Sequence, residues 1–169
     1  MSGLPLPYQV PLDGTLLIEA SAGTGKTHTL ERLIARHLLW NGHSIDSVLA
    51  VTFTKAAAAD IKLRLHAFLK RCLEYDGVST DGDIEFLFSA RPADVDASVL
   101  HSRLCAALAD FDRAAVYTIH GFCQRLLQDY ALACAQPIPA PALLEDETAL
   151  RLQVCEAFWR QCGRNPDFN

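Results

Sequence analysis

No two of the six cysteines stand at C-x-x-C spacing, which removes the usual sequence mark of a zinc knuckle or a dithiol redox centre. Cys72, Cys105, Cys123, Cys134, Cys155 and Cys162 are instead scattered, and the expectation for scattered cysteines is reduced thiols buried in a core. No apolar run approaches the ~20 residues of a membrane span. The opening Met-Ser-Gly-Leu-Pro-Leu-Pro-Tyr has neither a basic start nor the apolar segment of a secretory signal, so a cytoplasmic location is expected. An excess of positive charge is missing too. The formal net charge is −5, so any contact with nucleic acid has to be local rather than carried by an overall basic field. Internal repeats and low-complexity tracts are likewise absent from the sequence.

What is present is a chain of 169 residues, half of them hydrophobic, enough for one compact α/β domain. Residues 15–19, Thr-Leu-Leu-Ile-Glu, form a short apolar run, as a buried parallel strand does. Leu30, Leu33, Ile34, His37 and Leu38 then recur at the spacing of one helix face, and Asn41-Gly42 supplies a stop. A second run, Val48 to Phe53, precedes an alanine-rich stretch in which Ile61, Leu65, Phe68, Leu69 and Cys72 keep helical spacing. Strand, helix, strand, helix is the order of a parallel sheet flanked by helices. Asp76 to Asp83 reads as a solvated loop. Residues 94–110 read as a helix with Val95, Val99, Leu100, Leu104 and Leu108 inward, Ala114 to Thr118 as a brief strand, and His120 to Ala133 as a further helix. Pro137 to Pro141 cannot continue that helix and serves as a linker between a main domain, 1–136, and a helical segment, 142–169, that Asp146 can cap. Leu150, Val154 and Phe158 recur every fourth residue in that segment.

Between the first strand and its helix stand Ala20, Ser21, Ala22, Gly23, Thr24, Gly25, Lys26 and Thr27. A polyphosphate is held most readily by a turn whose amides converge on it at a helix N-terminus, and Gly23 and Gly25 permit such a turn. Lys26 would reach the β and γ phosphates of a nucleotide, and the Thr27 hydroxyl would join the shell of a bridging Mg²⁺. The strict pattern G-x-x-x-x-G-K-S/T is not met, because Ala20 takes the first glycine position. The strand before and the amphipathic helix after supply the context that a phosphate-binding loop needs.

Two further strings, Val51-Thr-Phe-Thr-Lys-Ala-Ala57 and Thr118-Ile-His-Gly-Phe122, follow the loop in order. With it they resemble motifs I, Ia and Ib of the superfamily 1 UvrD-like helicases. Ala20 and the Thr-Ile-His-Gly-Phe-Cys form are similar to the RecB-like branch, and so are Leu144-Glu-Asp-Glu147 and Phe158-Trp-Arg160. The similarity runs nearly end to end. It implies a P-loop NTPase of RecA-like fold that uses ATP and Mg²⁺, grips single-stranded DNA, acts at double-stranded DNA ends in break repair and recombination, and works with RecC-like and RecD-like subunits. It also places the Walker B acids, a second motor lobe and a nuclease domain beyond this sequence, with residues 142–169 opening an accessory helical insertion. The 169 residues by themselves are then expected to bind nucleotide weakly and to unwind nothing.

The DNA contacts so implied are Thr52, Thr54 and Lys55 in one string and Thr118, His120 and Phe122 in the other. Each string can equally be an ordinary helix start, and Phe53 is expected in the core. Lys62, Arg64, Lys70 and Arg71 are expected to solvate an exposed helix side. The sequence departs from the family at Asp60, where a glutamate is common, and at Asp13, where no adenine-contacting glutamine is in register; Gln9 is the nearest candidate. Leu143 to Glu147 imitates a Walker B strand, but its acids suit the first turn of the next helix. Two other readings stay open: a small P-loop kinase, for which Arg151, Arg160 and Arg164 are too scattered to form a lid, and a non-catalytic remnant.

Overall fold

The computed structural model describes residues 6–19, 21, 23, 25–77, 81–131, 133 and 146–162. Its contacts divide the chain into two units, Met1–Gln124 and Arg125–Asn169. The Pro137 to Pro141 segment lies outside the described residues.

The first unit is an α/β structure built on three helices: α2 (Lys26–Leu39), α3 (Lys55–Leu73) and α5 (Ala97–Ala109), with the short α1 (Leu6–Gln9) before them and α4 (Gly82–Ser89) between α3 and α5. Two three-residue strands, β1 (Ala50–Thr52) and β2 (Val116–Thr118), run parallel, with Ala50 opposite Val116, Val51 opposite Tyr117 and Thr52 opposite Thr118. The last helix of this unit is α6 (Ile119–Asp129), which directly follows β2.

Helix α3 forms as its residues dictate. Ala56, Ala57, Ala58 and Ala59 favour helix, and Thr54 caps the start by accepting the Ala57 amide at 3.1 Å. Lys70 and Arg71 lie in the last turn, where the helix dipole favours cations. Ile61, Leu65, Phe68, Leu69 and Cys72 are all buried, matching the expected face residue for residue. They meet Ile34, Leu38 and Leu39 of α2 and Leu100 and Leu104 of α5 in one apolar cluster. Fully burying side chains of this size contributes about 1.5–3 kcal/mol each.

Helix α2 ends where Asn41-Gly42 predicts, and for two physical reasons. Gly42 has φ +73°, a region L side chains rarely adopt. A Cβ there would also meet the Arg103 guanidinium at 2.8 Å. Arg103 reaches over from α5 and donates from Nη1 to the carbonyls of Leu39 and Trp40, at 2.6 and 2.8 Å, satisfying two of the last acceptors of α2.

Several expectations are corrected. Residues 15–19 are not a strand: no ladder partner pairs with them among the described residues, and Leu17 is 81% exposed. A strand exists only within a ladder, so apolar composition alone does not produce one. The second run narrows to Ala50–Thr52 and the third to Val116–Thr118, while Leu49, Val51 and Phe53 are exposed. Helix α4 begins within the stretch expected to be loop; the Asp81 side chain accepts the Asp83 amide, and Ile84 and Leu87 are buried one turn apart. Val95 is buried just before α5, whereas Val99 faces out and Leu108 is half-buried. On the expected face of α2, Ile34 and Leu38 are buried and Leu30, Leu33 and His37 half-buried. Of the described cysteines, all free thiols, only Cys72 is buried; Cys105, Cys123 and Cys155 are exposed and Cys162 half-exposed. Burial raises the Cys72 thiol to about 12, so it is an inert core group.

The second unit contains the end of α6 and α7 (Thr148–Cys162). Asp146 accepts the Thr148 amide at 2.9 Å, the expected cap, and hydrogen bonds from the Thr148 hydroxyl first and its amide second lower the Asp146 carboxyl below the usual range. Leu150, Val154 and Phe158 are exposed in this structure.

Candidate functional site: a glycine loop and two strand ends

Of the eight loop residues, Ala20, Ala22 and Thr24 lie outside the described residues. Gly23 and Gly25 have φ +79° and +89°, so both glycines are needed for their backbone geometry. A Cβ on either would meet nothing within 4 Å, so backbone geometry rather than crowding accounts for glycine at both positions. Gly25 is the N-cap of α2, and its carbonyl accepts the Thr29 amide at 2.8 Å. Lys26 and Thr27 are therefore the first two helical residues, Lys26 exposed and Thr27 half-buried. No acidic residue stands in that first turn, so nothing there offsets the partial positive charge of the helix start.

The other two strings meet at the sheet. The register sets Thr52 opposite Thr118, so the C-terminal ends of β1 and β2 lie side by side and each leads into a helix. Both strings act as helix starts, through Thr54 as described and through Thr118, whose Oγ1 accepts the Gly121 amide at 3.0 Å. Lys55 and His120 are exposed, and Thr52 and Phe122 half-buried. Phe53 is 81% exposed, not core as expected, because the chain turns out of the sheet directly after Thr52. Lys62, two turns into α3, stands 5.9 Å from the centre of the Tyr117 ring.

The sequence pattern of the UvrD/REP helicase N-terminal domain matches residues 7–161. The chain belongs to the UvrD/REP helicase family. Among curated proteins it is similar to RecBCD enzyme subunit RecB of Escherichia coli, 39% identical over 168 residues that cover 92% of this chain and 14% of the relative. RecB of Buchnera aphidicola is 36% identical, covering 90% of this chain and 13% of the relative. RecB of Haemophilus influenzae is 33% identical, covering 94% and 14%. The chain thus corresponds to a small part of these relatives.

The glycine loop is followed by charged residues that no motif flagged. On α2, Glu31, Arg32 and Arg36 are each 4–5% exposed. Arg32 pairs with Glu31 at 2.9 Å and with Asp83 of α4 at 3.1 Å, and its guanidinium lies 3.8 Å over the Phe68 ring. Arg36 donates to the carbonyls of Pro7 and Val10, at 2.5 and 2.9 Å, and covers Trp40, tying the segment before the loop to the helix after it. Burial raises the Glu31 carboxyl above its ordinary range against the pull of Arg32, and lowers the Arg36 guanidinium. Periodicity could not reveal these residues, since they lie off the apolar stripe. An arginine beside a glutamate on a helix normally marks a solvated side.

The remaining surface charges behave as expected. Arg64 pairs with Asp60 and Arg71 with Asp81, all partly exposed. Gln9 is exposed on α1. Leu143 to Glu145 lie outside the described residues. Of the other acids in that stretch, Asp146 caps α7 and Glu147 pairs with Arg151 at 3.0 Å; both stand just before the helix rather than in its first turn, which holds no acid. Among the described residues, no group of three or more His, Cys, Asp or Glu could hold a metal ion, and no helix is long and apolar enough to cross a membrane.

Proposed function

We propose that this chain is the nucleotide-binding N-terminal part of a RecB-like, ATP-dependent DNA helicase and exonuclease subunit of P-loop NTPase fold, acting in double-strand break repair and recombination. The observation that carries the reading is the glycine turn, with Gly25 at φ +89° directly before Lys26 and Thr27 at the start of α2. The residues fit an ATP–Mg²⁺ group: two left-handed glycines, a lysine at the helix start and a hydroxyl beside it. When bound, Mg²⁺ neutralises charge on the phosphate oxygens. Lys26 would supply a cation to the same oxygens, Thr27 would offer its hydroxyl to the metal, and amides of the loop that ends at Gly25 would hold the phosphates.

Single-stranded DNA would cross the ends of β1 and β2, where Thr52 and Thr118 are neighbours and Lys55 and His120 are exposed. Hydroxyls, amides and a cation grouped at helix starts suit backbone phosphates, and the Phe122 ring can meet a base. Hydrolysis and unwinding need a carboxylate from a further strand and an arginine from a second lobe. This reading draws both, and the nuclease, from sequence beyond the 169 residues, in keeping with relatives of which the chain covers 14%. It also brings in RecC-like and RecD-like partners and a cytoplasmic setting.

Lys26→Ala tests the reading. Titration with a fluorescent ATP analogue and Mg²⁺ should show at least about a tenfold loss of affinity, the scale of one charged contact, with an unchanged circular dichroism spectrum. Equal affinity in the variant overturns the phosphate site and favours a non-catalytic remnant.

A further inference from the structure

One carboxylate at the start of α4 gathers bonds from the helix that carries the phosphate loop. Asp83 Oδ2 lies 2.7 Å from His28 Nε2, 3.1 Å from Arg32 Nη2 and 3.3 Å from Arg32 Nε. Its backbone carbonyl accepts the Tyr8 hydroxyl at 2.8 Å. None of these four residues belongs to the motifs read from the sequence. We propose that Asp83 is a positioning residue for nucleotide binding: through His28 and Arg32 it sets the first turn of α2, and so the direction in which Lys26 and Thr27 point. The proposal rests on the phosphate-site reading above.

The geometry argues as follows. His28 directly follows Thr27, and Arg32 is one turn further along the same face. Two side chains of one face, bonded to a single oxygen, hold both the tilt of a helix and its rotation about its axis. Rotation matters most here, because residues in the first turn fan out by about 100° per position. Asp83 is itself well placed to act as the fixed point. Its amide donates to the Asp81 side chain, its carboxylate lies in the first turn of α4 where the helix dipole favours an anion, and Tyr8, 4% exposed, pins its carbonyl. The bond to Tyr8 extends the arrangement to α1. The segments on both sides of the phosphate loop therefore meet at one residue, 55 positions beyond His28.

The rest of the core does not depend on this carboxylate in the same way. If Asp83 loses its charge, Arg32 keeps its pair with Glu31 and its place over Phe68, so no buried guanidinium is left alone. What is lost is the carboxylate's hydrogen bond with His28, whose side chain is 45% exposed, and its hold on the outer edge of Arg32.

The experiment compares Asp83→Asn, His28→Ala, His28→Gln and the double variant H28A/D83N with Lys26→Ala in the intact protein. Each is titrated with a fluorescent ATP analogue and Mg²⁺ below its thermal midpoint. Asp83→Asn and His28→Ala should each weaken binding about five- to tenfold, the scale of one charge-assisted hydrogen bond. The double variant should bind no more weakly than Asp83→Asn alone, and His28→Gln, which keeps a donor, should recover most of the loss. A purely structural role would lower the midpoint and leave affinity at the parent level, and that result overturns the proposal. Additive losses in the double variant overturn it as well. Should Asp83→Asn fail to fold, the contrast between His28→Ala and His28→Gln decides alone, since His28 is half exposed. Parent-level binding by Lys26→Ala overturns the phosphate site itself, and this proposal with it.

Discussion

Helices α2 and α3 pack against each other in one core, yet they are held in different ways. Every buried residue of α3 is apolar, and its Asp60, Arg64 and Arg71 pair at the surface. Helix α2 buries Glu31, Arg32 and Arg36 beside its apolar residues. Apolar burial is non-directional and holds a helix in place without fixing its rotation closely. Hydrogen bonds and ion pairs are directional. The helix held directionally is the one that opens on the glycine loop, where the proposed function has Lys26 and Thr27 face a ligand; α3 starts from a threonine cap at a strand end.

The sharpest way to break this contrast is to remove the central cation. Arg32→Met should destabilise by about 3–5 kcal/mol, because it leaves Glu31 and Asp83 facing each other without their shared partner. Urea unfolding measures it, and a loss under about 1 kcal/mol would show that α2 relies on apolar contacts alone. Leu65→Ala, at a fully buried α3 position, should cost about 2–5 kcal/mol through lost burial and a cavity. Unlike Arg32→Met, it should leave the affinity for nucleotide unchanged in the folded protein.

A smaller effect is expected from pH. Burial, His43 and Arg36 hold His37 on α2 below its ordinary value, with Asp13 pulling the other way. The folded state then binds a proton less readily than the unfolded chain. This contribution is intact above the unfolded value of about 6.5 and is lost as pH falls through the depressed folded value. His37→Gln should lose less stability than the parent between about pH 7 and pH 5, read as the difference in urea midpoints; parallel losses would remove His37 from the account. The smallest effect belongs to α3: Arg64→Ala, which breaks an exposed pair four residues apart with Asp60, should leave the unfolding midpoint within error.

The same difference explains what could be read in advance. The α3 face was legible to the residue because apolar spacing records one-sided burial directly. The stop at Gly42 and the caps at Thr54 and Asp146 were legible because they are local chemistry. The charged side of α2 was not legible, since its partners Asp83, Pro7 and Val10 come from distant parts of the chain. Helix α4 was hidden by its short length and by the polar residues before it. The run at 15–19 misled because apolar composition says nothing of whether a ladder neighbour is present. Phe53 misled in the same way, standing exposed at the end of its strand.

By itself, then, the sequence determined the helix faces, the turns and caps, the glycine loop with Lys26 and Thr27, and membership of the helicase family, because each is written in residues close together. Only the tertiary structure decided that Thr52 meets Thr118, that two arginines of α2 are buried, and that Asp83 joins the segments on both sides of the loop. The physical reason is that pairing across a ladder and the burial of charge depend on partners far away in the chain, and one-dimensional spacing carries no record of which partners will meet.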